Sequence, residues 1–147
     1  MKIIAIDSGT KTGWASNDGI LTSGTQDFSL KRGESPGMRF LMFQSWLKKI
    51  IKIIQPNIII YERAHHRGGG ATEVGVGLTT LIQTVCAEYK IEHVALHSST
   101  LKKHATGKGN SSKEDMMAAA TKKGWAFQDD NECDALWLLD YAIKEYI

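Results

Sequence analysis

Two rhythms of apolar residues run along the chain. Lys2 to Asp7 is a short apolar run that ends in a carboxylate and a Gly-Thr turn, which reads as a buried strand. Gly13 to Ser16 and Ile20 to Phe28 predict two more strands, joined by a hairpin at Asn17-Asp18-Gly19. A helical rhythm then takes over. Ser35-Pro36 offers an N-cap serine and a proline for the first helical position, and Phe40, Phe43, Leu47, Ile50 and Ile54 recur at helical spacing until Gln55-Pro56-Asn57. Ile58 to Glu62 is a fourth strand, apolar enough to be central. Arg63 to Gly70 is a polar, glycine-rich loop. Ala71 to Tyr89 predicts a helix with Val74, Leu78, Leu81, Val85 and Tyr89 on one stripe, interrupted by Gly75 and Gly77. Ile91 to Leu96 is a fifth strand, Ser98 to His104 a short helix, and Ala105 to Ser112 a flexible loop. Ser111 and Glu114 suggest a capping box for a helix to about Lys123; Asp129 and Glu132 repeat the pattern before a last helix, Asn131 to Tyr146.

Three antiparallel strands followed by alternating helices and strands predict an α/β domain with a five-stranded mixed sheet. The 147 residues suit one compact domain able to bury its own core. With 42% hydrophobic and 23% charged residues and no apolar run long enough to cross a bilayer, the composition is that of a soluble globular protein. The two cysteines, Cys86 and Cys133, sit in apolar helical patterns and make no disulfide framework, which predicts a reducing, cytoplasmic setting. A net charge of +2 permits nucleic-acid binding without arguing for it.

The acids carry more information. Asp7 closes the first strand and Glu62 the fourth. As ends of parallel neighbours they would lie about 5 Å apart, at the edge where open α/β sheets place their sites. Asp134 interrupts the apolar start of the last helix, and Asn131 shares its face three residues earlier. A helix-terminal charge is the structural alternative for Asp134, whereas Asp129 and Glu132 are explained as cap partners. Oxygen ligands from three separate segments suit Mg²⁺, with Mn²⁺ as a substitute. Such an ion supports in-line phosphodiester displacement without a nucleophilic serine or cysteine.

IAIDSGTKTGWA, IIIYER and DDNECDALWLLDYA, in that order over nearly the whole chain, resemble the signatures of RuvC-like Holliday junction resolvases. The resemblance implies an RNase H-like nuclease domain over 1–147, with helices on both faces of the sheet. It implies a divalent-metal-dependent endodeoxyribonuclease that cuts four-way DNA junctions as a homodimer. By position it makes Asp7, Glu62 and Asp134 metal-binding catalytic acids. Asn131 stands where many relatives have aspartate or histidine, and Lys113 matches a catalytic lysine. Flaps, forks or RNA–DNA hybrids are alternative substrates for the same chemistry. Asp7-Ser8-Gly9-Thr10 also resembles the phosphate loop of actin-like phosphotransferases, but those need two such domains around a nucleotide.

Basic residues flank these positions. Arg63, His65, His66 and Arg67 follow Glu62, and Lys102, Lys103 and Lys108 precede Lys113. They are the candidate DNA contacts, since phosphate binding falls to cations on mobile segments. Adjacent His65 and His66 lack the further ligands that zinc would need. The last expectation from the sequence is a dimer interface on the Ala71–Tyr89 helix, suggested by its stripe and glycines.

Overall fold

The computed structural model describes residues 1–20, 22–65 and 68–147. Leu21, inside the predicted third strand, and the loop residues His66 and Arg67 lie outside them. Among the described residues a five-stranded sheet runs in the order β3-β2-β1-β4-β5. Its strands are β1 (Ile3–Asp7), β2 (Lys11–Ser16), β3 (Ser23–Asp27), β4 (Ile58–Glu62) and β5 (Glu92–Leu96). β1 pairs antiparallel with β2 and parallel with β4, so the sheet is mixed. β2 begins two residues earlier than expected, because Thr12 is paired with Gln26 and its hydroxyl donates to the Gly9 carbonyl at 2.7 Å.

The period-2 alternation of the central strands feeds two cores. Ile4, Ile6, Ile59 and Tyr61 face α1 (Gly37–Ile54) and α2 (Gly70–Tyr89), meeting Phe43, Leu47, Leu78 and Ile82. Ile3, Ala5, Ile58 and Ile60 face α3 (Ser98–Thr106), α4 (Lys113–Lys122) and α5 (Asp130–Tyr146), meeting Leu101, Met116, Cys133 and Trp137. Helices therefore cover both faces, and Cys86 and Cys133 are unpaired in opposite layers. No described helix is long and apolar enough to cross a membrane.

Local chemistry sets the helix ends. Ser35 Oγ accepts from the Gly37 N–H at 3.2 Å, and Pro36 already has helical dihedrals. Gln55 closes α1 in the left-handed region, donating its N–H to Ile51 O at 2.7 Å, before Pro56 blocks continuation.

Three expectations need correction. The capping box of α4 is Ser112 with Asp115, one residue beyond the predicted pair. Ser111 is buried and spends its hydroxyl on Thr106 and the Lys108 carbonyl. The segment expected to be a flexible loop from Ala105 begins only at Gly107, and these hydrogen bonds tie it down; α3 extends through Thr106. Nor is the α2 stripe, with Gly77 beside it, a free surface. Leu78 and Val85 are buried in the chain's own core, with Val74, Leu81 and Tyr89 packed on it. A Cβ at Gly77 would lie 2.3 Å from the Phe40 ring, so this glycine admits α1 rather than a second subunit.

Candidate metal centre

β1 and β4 run parallel with Ile6 opposite Tyr61, which puts Asp7 and Glu62 side by side at the carboxyl edge of the sheet. Asp134 reaches the same edge because α5 lies unusually close to β2. A Cβ on Gly13 would fall 1.8 Å from the Asn131 carbonyl oxygen, so only glycine permits this approach. The start of α5 is fastened to β3 as well. Thr25 donates to Asp129 Oδ1 at 2.7 Å, the same oxygen that caps the Glu132 N–H at 2.9 Å. Ser23 donates to Glu132 Oε2 at 2.6 Å, while Glu132 Oε1 accepts the Gln128 N–H at 2.8 Å. Asp129 and Glu132 are thus cap and anchor groups, as the sequence suggested, and Asp134 is left to face the strand ends.

One carboxylate oxygen from each of Asp7, Glu62 and Asp134 lies within 4.8 Å of the others. Among the described residues, nearby lysines offset their mutual repulsion only in part. Burial, then the charges of Asp134 and Glu62, raises the Asp7 carboxyl well above the ordinary carboxylate range. Asp134 is pushed up to about 7, by burial first and then by Glu62 and Asp130, with Lys102 and Lys113 pulling the other way. Partly buried carboxylates from three elements that resist ionising together are a donor set suited to a divalent cation. All-oxygen donors favour Mg²⁺ or Mn²⁺ over zinc.

The surroundings are cationic. Lys113, the first residue of α4, places Nζ 3.3 Å from Asp130 Oδ2. Asp130 is four residues before Asp134 on the same helical face. It was not singled out from the sequence, although that i, i+4 spacing was a usable signal. Asn131 contributes its main-chain carbonyl to the Gly13 contact. A cavity of about 150 Å³ joins Glu62 and Asp134 to Lys102 and Lys113. A second, of about 240 Å³, is lined by Asp7, Glu62, Arg63 and His65. His65 Nε2 is 3.8 Å from Glu62 Oε1. Arg63 donates from Nη1 to His97 Nε2 at 2.8 Å, a partner that sequence reasoning missed because it begins a different element. Lys103 is exposed and borders neither cavity, and Lys108 lines a separate groove. Cys133, beside Asp134 in sequence, is fully buried and its thiol is pushed up to about 12 by burial, so it packs rather than reacts.

No protein-family model matches the sequence, and no curated protein matches it. Solved structures do. RuvC of Thermus thermophilus in complex with a Holliday junction substrate has a TM-score of 0.74 at 16% identity, over 95% of this chain and 90% of that one. A further T. thermophilus RuvC structure has a TM-score of 0.74 at 15% identity, over 98% and 96%. The yeast mitochondrial Holliday junction resolvase Ydc2 has a TM-score of 0.63 at 12% identity, over 93% and 76%. At these identities the common property is the fold, and the chain has the RNase H-like fold of the RuvC-type resolvases.

Proposed function

We propose that residues 1–147 form a single nuclease domain that hydrolyses phosphodiesters in branched DNA, four-way junctions above all, with Mg²⁺ as cofactor. The observation that carries this reading is the convergence of Asp7, Glu62 and Asp134 within 4.8 Å, from two strand ends and a helix, on a resolvase-like fold. In this reading the three acids hold the ion, with Asn131 beside them. Bound there, a divalent cation supplies Lewis-acid polarisation of the scissile phosphate. The chain's own groups do the rest. Lys113, released from Asp130, brings an ammonium to the phosphate and offsets charge that develops in the transition state. Arg63, His65 and Lys102 border the cavities on either side and bind flanking phosphates, which sets the register of the strand. Two opposed cuts in a symmetric junction require two such sites, hence a two-fold dimer.

The direct test is cleavage of matched four-way junction, fork, flap, duplex and RNA–DNA hybrid substrates, with Mg²⁺ and with EDTA. Junction cleavage that needs the metal is expected. Equal turnover of plain duplex would replace the substrate assignment, and cleavage in EDTA would remove the metal.

Lys113 gives a second expected result. Lys113→Ala should slow single-turnover cleavage by about 100-fold while changing junction affinity little, since an interaction formed in the transition state acts on rate. Lys108→Ala, in the groove, should instead weaken binding and lower the salt slope by about one, leaving saturated turnover intact. If the two variants behave alike, Lys113 belongs to the general basic surface.

A further inference from the structure

α4 and α5 leave the carboxylate site side by side. Lys113 meets Asp130, the Cys133 thiol donates to the Met116 carbonyl, and Lys123 meets Asp140, and each pair is separated by 17 residues. A constant offset means parallel helices in fixed register, both beginning at the metal centre and both leading away from it. α3 closes one side, and between the three lies the roomiest groove among those described, about 860 Å³. Ser111 forms part of the wall of both this groove and the cavity holding Glu62 and Asp134, so the two lie next to each other.

The groove has a distinct chemistry. Ala118 and Ala119 form part of its wall, leaving it wide, and Lys108, Lys122 and Lys144 are among the residues that line it. All three lysines are exposed and form no salt bridge among the described residues. The two acids present are already engaged. Asp140 accepts from His104 or pairs with it at 2.8 Å and holds Lys123 at 3.2 Å, while Asp115 accepts the Ser112 N–H at 3.0 Å as part of the α4 cap. Lys123 is further fixed over Trp125 and Trp137, at 5.0 and 5.4 Å from the ring centroids. The lining is therefore net cationic on a rigid frame. Trp137 itself is only 3% exposed and offers no face for a base. A cationic track without an open aromatic platform suits a phosphate backbone rather than unstacked bases.

We propose that this groove carries the phosphate backbone of a duplex DNA arm as it leaves the carboxylate site. The inference rests on the nuclease reading above and names the part of the substrate that binds beyond the cut. Along α4, Lys122 is about 14 Å from Lys113, and along α5, Lys144 is about 15 Å from Asp134. At about 3.4 Å of rise per nucleotide, these lysines meet the arm roughly four base pairs from the cleaved linkage.

The test is binding in EDTA, so that affinity is read apart from cleavage. The probes are a four-way junction with ordinary arms and one whose arms carry uncharged methylphosphonate linkages from about the fourth base pair outward. K122E/K144E should bind the ordinary junction about ten-fold or more weakly than wild type and lower the salt slope by about two. It should bind the methylphosphonate junction as well as wild type does, with unchanged melting temperature. K49E/K52E, an equal charge change on exposed lysines of α1 on the other face of the sheet, should leave both affinities near wild type. Wild-type affinity of K122E/K144E for the ordinary junction overturns the proposal. So does an equal loss on the methylphosphonate junction, or an equal loss in K49E/K52E, because the effect is then one of net charge. Binding that follows the expected pattern, without cleavage of any DNA when Mg²⁺ is added, would leave the groove standing and remove the nuclease reading.

Discussion

Asp7→Asn, Glu62→Gln and Asp134→Asn are each expected to lower junction cleavage by at least about 1,000-fold, because each removes one charged oxygen from the proposed three-acid ligand set. The Asp7 and Asp134 substitutions should also stabilise the metal-free protein. Asp7 and Asp134 hold carboxyls whose folded-state pKa values lie above the ordinary range, through burial and mutual repulsion. A raised carboxyl binds more protons folded than unfolded, so the metal-free fold loses stability as pH rises through that window. For Asp134 the window runs from the ordinary value of 3.8 up to about 7. At and below about pH 3.8 wild type and Asp134→Asn should therefore melt at similar temperatures, and the variant should gain as pH rises through the window. By pH 8 the variant should melt several degrees higher, on the order of 1–2 kcal/mol. On the proposed function Mg²⁺ should invert that order, since an ion held by the wild-type carboxylates stabilises only the fold that assembles them. Melting curves across pH, with and without the ion, make the check independent of catalysis. A variant destabilised at pH 8 without metal would mean that its carboxylate is satisfied within the chain, contrary to the site proposed here.

Gly13→Ala should be the most damaging single methyl group in the chain. Its Cβ would lie 1.8 Å from the Asn131 oxygen, 2.2 Å from the Asn131 carbonyl carbon and 2.9 Å from the Glu132 nitrogen. All three are main-chain atoms of α5, so no rotamer change relieves the clash and the helix itself must move. A loss of about 3 kcal/mol is expected, at the upper end for overpacking. Cleavage at a temperature where the variant stays folded should fall by about 100-fold or more, because Asp134 is carried on the displaced helix. Gly75→Ala is the matched control. Its Cβ would meet Ala64 at an ordinary 3.7 Å, and alanine inside a helix should raise stability by about 0.5–1 kcal/mol. Wild-type stability in Gly13→Ala would show that α5 does not dock on β2 as described.

The sequence alone carried the alternation of elements and the identity of the two strand-end acids. Ile3 to Ile6 and Ile58 to Tyr61 alternate between two buried faces, and such runs declare central strands before any coordinate is known. Asp134 was legible because aspartate interrupts an apolar helix, and Asp129 and Glu132 because their spacing is that of a cap. What tertiary structure decided were matters of approach and partner. Gly13 reads in sequence as part of an ordinary strand, yet it sets how near α5 comes, because only packing reveals which backbone lies across the missing Cβ. Gly77 suggested an external surface, while the atom that fills its space is the ring of Phe40, distant in sequence. Ser111 and Ser112 compete for the same cap, and burial of Ser111 against Thr106 left the role to Ser112. The pairings of Arg63 with His97 and Lys113 with Asp130, and the parallel course of α4 and α5, join segments far apart along the chain. Local pattern encodes which face of an element is buried; it does not encode which neighbour arrives there, and that choice, made by the packing of the three-helix layer on the sheet, placed the acids together and opened the groove beside them.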